Sequence, residues 1–311
     1  MLLGGIDAGG TKINCAVAEY LSCRPKILER IKIKTNRPAE TIPKILRFFA
    51  SKQIDALGIG CFGPIDLHIN SATYGFITTT PKLDWRDYNI LGQLEDQVKV
   101  PVGFDTDVNG AALAEFMWGR AKGVQSCVYL TVGTGIGGGA IIDRKLVHGL
   151  LHPEMGHIMP RRHHQDHFKG ICPHHGDCLE GLASGPAIEK RTGMKGEDLQ
   201  DKSAATWEII SNYLAQAVVN CILILSPQKV ILGGGVMKHD HLFPIIRNEV
   251  KQLMNSYLPK EELLAGINDY IVYPGLGEDA GLFGGFALAI QALNRKDRNN
   301  LTTDPLDKKH S

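Results

Sequence analysis

The sequence predicts an α/β fold in which one architecture is built twice. Two observations carry this. The apolar run Met1–Ile6 meets Asp7-Ala-Gly-Gly-Thr-Lys12 and resumes as Ile13–Ala18, and further on Cys127–Val132 meets Gly133-Thr-Gly-Ile-Gly-Gly-Gly139 and resumes as Ala140–Ile142. Short apolar runs ended by glycine clusters are strand and turn signals. Two strand–glycine turn–strand units in one chain imply two similar α/β halves.

The elements follow in order. Residues 27–34 alternate apolar and charged side chains, the pattern of a partly exposed strand. Helical spacing is expected over 41–52, a buried strand over Ala56–Cys61 ending at Gly63-Pro64, and an irregular stretch over 66–90 with Thr78, Thr79 and Thr80 before Pro81. A helix at about 90–97 leads to the strand Val100–Phe104, and Asp107–Trp118 reads as a helix. After the second turn come a long helix over 204–225, the strand Val230–Leu232 with Gly233-Gly-Gly235, the strand Tyr270–Tyr273 and a helix over 281–294. This gives an N-terminal lobe over 1–118 completed by a C-terminal helix at about 281–295, a second lobe over 119–280, and a polar, fraying tail over 296–311.

With 311 residues the chain can hold two cored domains, and its net charge of +1 supplies no electrostatic footprint for nucleic acid or an anionic membrane. The N-terminus shows neither a signal-peptide pattern nor a membrane span, so a cytoplasmic location is expected. Two of the glycine turns lead into strands rather than helices and no GxxxxGK[ST] occurs, which disfavours a Rossmann dehydrogenase and a P-loop enzyme.

Three groups of residues carry chemistry. Asp7, Gly9, Gly10, Thr11 and Lys12 offer unobstructed backbone N–H groups, a hydroxyl, a cation and a carboxylate, a nest suited to phosphate and to Mg²⁺ at Asp7. The turn with Thr134 and Gly135 repeats the device, and two such hairpins can grip a nucleoside triphosphate. Eight of the 12 histidines lie between His148 and His175, interleaved with two thiols. Of these, His157, Cys172, His175 and Cys178 form the best set for a structural zinc ion, with His174 competing for the place of His175. Glu154 and Glu180 flank that set and, as acceptor-only groups when ionised, suit the binding of hydroxyls. His163, His164 and His167, with Arg161 and Arg162, read as a solvated loop. Asp107, in Asp105-Thr-Asp107-Val-Asn109, is either a base for an attacking hydroxyl or the N-cap of its helix. Asp105 is then the alternative cap.

Together DAGGTK, GTGIGGG and the E-x-G-H segment with its cysteine-rich follower resemble the ROK family of sugar kinases, over about Leu3–Leu293. The HPEMGH and CPxHGDC forms are similar to its zinc-containing fructokinase subgroup. The resemblance implies an actin-like, hexokinase-like (ribonuclease H-like) ATPase fold with two lobes around a cleft, and a homodimer. It implies phosphorylation of a hexose, fructose first, by ATP with Mg²⁺ and Asp107 as general base. Sugar contacts from Glu154, His157, Glu180 and Thr106 are implied too, Thr106 standing where the family has Asn. Gly234 and Gly235 match the segment at the adenosine end of the nucleotide, and Gly63-Pro64 and Thr80-Pro81-Lys82-Leu-Asp-Trp85 the sugar-side loops, where Trp85 either covers the sugar or anchors its loop. A broader hexose kinase, or a sugar-sensing regulator without catalysis, are the other readings. A DNA-binding member would carry an added domain before the first strand.

Overall fold

The structure is a computed structural model and describes residues 1–196, 199 and 204–301. Contacts divide the chain into two compact units: Met1–Ala114 with Leu150–His152 and the segment from Asp279 onward, and Glu115–Gly149 with Pro153–Glu278. The first unit thus ends inside the helix expected to close it at 118, and takes back a three-residue strap from the second.

The first unit contains β1 (Leu2–Ala8), β2 (Lys12–Glu19), β3 (Lys26–Lys34), α1 (Pro38–Phe49), β4 (Ala56–Cys61), β5 (Phe76–Ile77), β6 (Tyr88–Asn89), α2 (Ile90–Val98), β7 (Val102–Thr106) and the start of α3 (Asp107–Trp118). Its sheet has the order β3-β2-β1-β4-β7, with β5 and β6 pairing separately. In the second unit β8 (Cys127–Val132), β9 (Ile136–Ile142) and β10 (Lys145–Leu146) precede α4 (Leu179–Ala183), α5 (Gly185–Thr192) and α6 (Ala204–Leu225), and β11 (Val230–Gly233), α7 (Leu242–Met254), α8 (Ile267–Tyr270) and β12 (Ile271–Val272) follow. Its sheet has the order β10-β9-β8-β11-β12. In each unit an antiparallel hairpin around a glycine turn is extended by two parallel strands. The duplication read from the two glycine turns is therefore a duplication of sheet topology.

A last helix, α9 (Ala280–Leu301), returns to the first unit and packs on β1, β4 and β7. Gly5, Gly58 and Gly103 stand in register across those three strands and make room for it. A Cβ on Gly58 would lie 1.8 Å from the Gly285 carbonyl oxygen, a backbone clash that no rotamer relieves.

Three expectations change. The helix expected to end at 294 runs to Leu301, so the fraying tail loses its first residues to α9, and its remainder lies outside the described residues. The strand expected at Tyr270–Tyr273 shrinks to β12, because Tyr270 still closes α8. The second glycine turn is only Gly133–Gly135; Gly137, Gly138 and Gly139 lie within β9, paired with β8. At Gly138 the missing side chain makes room for a neighbour: a Cβ there would meet Met155 Sδ at 2.6 Å. The 22-residue α6 is long and apolar enough to cross a bilayer, but Trp207, Ile210, Tyr213, Leu214 and Val218 are buried in the core of the second unit.

Candidate active site and metal centre

In the first unit, parallel pairing of β1, β4 and β7 brings their C-terminal ends to one edge, with Ala8 beside Cys61 and Cys61 beside Thr106. Ligands of open α/β sheets gather at that edge. The Gly9–Thr11 turn leaves it from β1, closed by the Gly9 N–H donating to the Lys12 carbonyl at 3.0 Å, and Asp107 leaves it from β7. Asp7, at the end of β1, lies opposite Asn14 and accepts a 2.9 Å hydrogen bond from its amide. The strand alternation puts Lys12 on the same face of the hairpin. Burial pushes the Asp7 carboxyl above its ordinary range, against the opposing effects of the Asn14 bond and the Lys12 charge. A divalent cation would restore its ionised form, so the residue fits a Mg²⁺ ligand. Gly281, opening α9, is a close neighbour: a Cβ there would lie 2.8 Å from the Asp7 carboxyl.

The cap of α3 is neither Asp107 nor Asp105. Thr106 Oγ1 accepts from the Asn109 N–H at 3.1 Å, the bond an N-cap makes to the third helical residue. Asp105 sits behind it, one oxygen accepting from the Thr106 N–H at 2.8 Å and from the Asn109 amide at 2.8 Å. Thr106 is only 3% exposed, and with one lone pair engaged its hydroxyl keeps its proton and a second lone pair. Thr and Asn are both good caps, so the Thr-for-Asn departure preserves the helix start. Asp107 is left in the first turn, half-buried, with one oxygen accepting from the Val108 N–H at 2.9 Å. A Cβ on Gly60 would lie 3.2 Å from the Asp107 Cα, so β4 packs against the start of α3.

The two loops that resemble the family's sugar-side elements are anchored by aromatic and imidazole groups. Trp85 is 1% exposed and donates from its indole to the Asn36 carbonyl at 2.7 Å, edge-on to Phe62 and Tyr88. Of the two roles open to it, it takes the anchor. His152, buried, accepts from the Ile65 N–H at 3.1 Å, pinning the loop after Gly63-Pro64 to the strap 150–152.

In the second unit the Gly133–Gly135 turn closes with the Gly133 N–H donating to the Gly135 carbonyl at 2.8 Å, and the Gly133 carbonyl accepts from Gly185 at the start of α5 at 2.7 Å. Thr134 and Gly135 are thus held between a strand end and a helix start. Gly234 has φ +91° and packs on the Val132 backbone, where a Cβ would come within 2.4 Å of the carbonyl oxygen; beside Gly235 a Cβ would find open space. In the direction of a Cβ, Gly234 is thus closed by the Val132 backbone and Gly235 is open.

Glu180, on α4, is tied to this turn: its Oε2 accepts from the Ile136 N–H at 2.9 Å. Glu154 precedes a single 3₁₀ turn, Met155–His157, whose Gly156 backs onto β9 so tightly that a Cβ would reach within 1.7 Å of the Ile136 carbonyl oxygen. Burial of its carboxyl, and then the Glu180 charge, push Glu154 up to about 7; one side of the residue stays open to solvent.

The donor atoms of His157, Cys172, His175 and Cys178 all lie within 4.8 Å of one another, and His174 is not among them. A tetrahedral ion with Zn–S of about 2.3 Å and Zn–N of about 2.0–2.1 Å sets S···N at about 3.6 Å. The observed values are 3.4 Å for Cys178 Sγ to His157 Nδ1, 3.8 Å for Cys172 Sγ to His157 Nδ1 and 3.7 Å for Cys172 Sγ to His175 Nδ1. The residues therefore fit zinc. Burial holds the Cys178 thiol at about 11 and also pushes His157 down toward its neutral, ligating form. The loop is shaped by two reciprocal bonds between Cys172 and Gly176 (3.1 and 2.9 Å), and it joins α4 through Ile171 N–H to Gly181 O at 3.0 Å.

One part of this region was not legible in the sequence. Asp166 is buried and accepts from Tyr213 Oη at 2.6 Å and from Arg191, whose guanidinium lies 4.4 Å over the Phe168 ring. Arg162 donates to the carbonyls of Asp166 and Phe168. Arg162 thus belongs to a built network rather than to a solvated loop. Its partners lie 25 and 47 residues from Asp166 in sequence, and no local pattern marks them.

The pattern of the ROK family matches residues 3–292 of the chain. The chain belongs to the ROK family. A Bacillus subtilis strain 168 protein, provisionally named a fructokinase, is 53% identical over 94% of this chain and 96% of its own. The fructokinase of Pediococcus pentosaceus is 44% identical over 94% of this chain and 99% of its own. In structure, a ROK hexokinase from Thermus thermophilus superposes with a TM-score of 0.72 at 25% identity, covering 96% of this chain and all (100%) of that one. The two-lobed, hexokinase-like α/β fold of this ROK protein is the one its duplicated sheets describe.

Proposed function

We propose that this chain is an ATP-dependent hexose kinase that converts fructose to fructose 6-phosphate. The observation that carries the chemistry is the placement of Asp107 at the strand edge that also bears the Gly9–Thr11 turn. Kinship to a named fructokinase supports the choice of sugar.

Asp107 takes the proton of the sugar's 6-hydroxyl as its oxygen attacks the γ-phosphorus of ATP in line. A new O–P bond forms, the bond from phosphorus to the β,γ-bridging oxygen breaks, and ADP leaves with that electron pair. Little covalent work falls to the protein in such a transfer, so positioning and charge neutralisation supply most of the acceleration. Gly9, Gly10, Thr11 and Lys12 in the first unit and Thr134 and Gly135 in the second hold phosphates, with Gly235 giving the open backbone beside the adenosine. Mg²⁺ that arrives with ATP neutralises phosphate charge, and Asp7 would hold it. Glu154, His157 and Glu180 receive sugar hydroxyls, with Thr106 offering its hydroxyl proton.

Zinc would be held by His157, Cys172, His175 and Cys178. With four protein ligands it leaves no open position and cross-links the loop. Its place in the reading is to fix Glu154, His157 and Glu180, because His157 follows Glu154 in one 3₁₀ turn and Cys178 immediately precedes the helix bearing Glu180. A homodimer, as the resemblance implies, completes the proposal.

The test is Asp107→Asn. Loss of a general base costs about 10²–10⁴-fold in kcat, while the fructose dissociation constant should stay within about threefold, since Asn keeps the shape and a hydrogen-bonding oxygen. A folded variant with wild-type kcat would remove Asp107 from the role.

A further inference from the structure

Lys82 lies on the Gly9–Thr11 turn. A Cβ built on Gly10 would touch Lys82 Cε at 3.5 Å, so the end of the lysine covers the turn with ordinary van der Waals spacing. Its loop is fixed to that turn by a relay of hydrogen bonds. Thr80, 1% exposed, accepts from the Lys82 N–H at 3.3 Å, and the Lys82 carbonyl accepts from the Trp85 N–H at 2.8 Å. The Trp85 indole donates to the Asn36 carbonyl at 2.7 Å. Thr35, next to Asn36, donates from its N–H to the Thr11 carbonyl at 3.1 Å and from its hydroxyl to the Gly9 carbonyl at 2.8 Å.

Among the described residues no carboxylate pairs with the Lys82 ammonium. The acids nearest in the loop system have other partners: Asp84 faces Arg37 at 3.6 Å, and Glu40 accepts from the Asn36 amide at 2.9 Å. Lys82, Arg37, Thr35 and Trp85 line an open depression of about 530 Å³ together with the acidic residues Glu40 and Asp84, so solvent reaches the space beside Lys82. A long side chain whose backbone is fixed from both sides, with its charge left for something else, is the arrangement expected of a ligand contact.

We propose that Lys82 binds the phosphoryl group being transferred, as a second cation beside Lys12. The loop that resembles a sugar-side element would then serve the phosphate through this one residue. The proposal rests on the reading of the Gly9–Thr11 turn as a phosphate site. A point charge aimed at an oxygen that gains negative charge acts most strongly in the transition state.

The test compares Lys82→Met, Lys82→Arg and, as a control on the turn itself, Lys12→Met. Steady-state kinetics with ATP-Mg²⁺ and fructose are measured beside fructose binding without nucleotide. Lys82→Met should lower kcat/KM for ATP by about 10²-fold, the usual loss of one charge-stabilising donor. Its fructose dissociation constant should stay within about twofold, which also shows the variant folded, and Lys82→Arg should recover most of the loss by restoring the charge. If Lys82→Met leaves kcat/KM for ATP unchanged while Lys12→Met loses it, the Lys82 assignment is overturned and the turn keeps its role. If neither variant changes, the phosphate reading of the turn fails and the proposal with it. Weakened fructose binding with unchanged kcat would place Lys82 on the sugar and overturn the proposal as well.

Discussion

Removing the zinc should cost the protein stability and sugar affinity together. A zinc ion on this set would tie His157 to Cys178, 21 residues apart, into one closed loop. Closing a loop of that length restricts the unfolded chain by about 3 kcal/mol on the chain-entropy estimate used for cross-links. Chelation should lower the unfolding free energy of the protein by about that amount. It should also raise the fructose dissociation constant, because Glu154 and Glu180 sit on either side of the ligand set. ATP binding should change less, since the Gly9–Thr11 turn belongs to the other unit and only Thr134, Gly135 and Gly235 share the unit of the zinc loop. The assay is chemical denaturation and fructose titration of the native protein before and after chelation, with metal content checked by mass spectrometry and zinc added back. Cys178→Ser, which removes a fully buried ligand, should reproduce the chelated values and be insensitive to added zinc. Verified metal-free protein with unchanged stability and fructose affinity would refute the account of this loop.

Further outcomes follow from single contacts. Thr106→Ala removes the cap of α3 and should cost about 1 kcal/mol of stability together with kcat, whereas Thr106→Asn should retain both; equal losses in the two variants would show that the cap is not what matters. Asp166→Asn leaves Arg191 buried without its charge partner and should destabilise by about 3–5 kcal/mol in denaturant titrations, a prediction undone by a loss below about 1 kcal/mol. Glu154, raised to about 7 from an ordinary 4.5, should give a fructose KM that falls as pH rises through 7, because ionisation creates the hydroxyl acceptor. The same ionisation opposes folding: the proton-bound form is favoured in the folded state, so stability is full below the ordinary value and declines as pH rises through about 7. Glu180→Gln should move that midpoint down by less than half of the rise, the Glu180 charge being the smaller of its two causes; an unmoved midpoint in both profiles would count against the pairing.

Much of this was written locally in the chain. The two glycine turns, the strands Ala56–Cys61 and Cys127–Val132 and the helices Asp107–Trp118 and 204–225 all follow from patterns within a few residues, and the four zinc donors fall within a short stretch that a metal can close. What the sequence did not show depends on distant partners. Asp107 looked like a helix cap because Asp favours that place, but Asp105 holds Asn109 and shifts the cap to Thr106. Glycines 137–139 read as a turn because nothing local reveals that Met155 packs on Gly138. The row Gly5, Gly58 and Gly103 has meaning only once α9 returns across the sheet, and Asp166 only once Arg191 and Tyr213 reach it.

The proposed reaction is a fructose-dependent transfer of the γ-phosphoryl group of ATP. It is tested most directly by sugar-dependent ADP release with ATP and Mg²⁺ over fructose, mannose, glucose and N-acetylmannosamine. Fructose should give the highest kcat/KM, by at least about tenfold, the scale of one well-read hydroxyl. Equal values for several sugars would contradict the choice of fructose, and no sugar-dependent ADP with any of them would contradict the kinase.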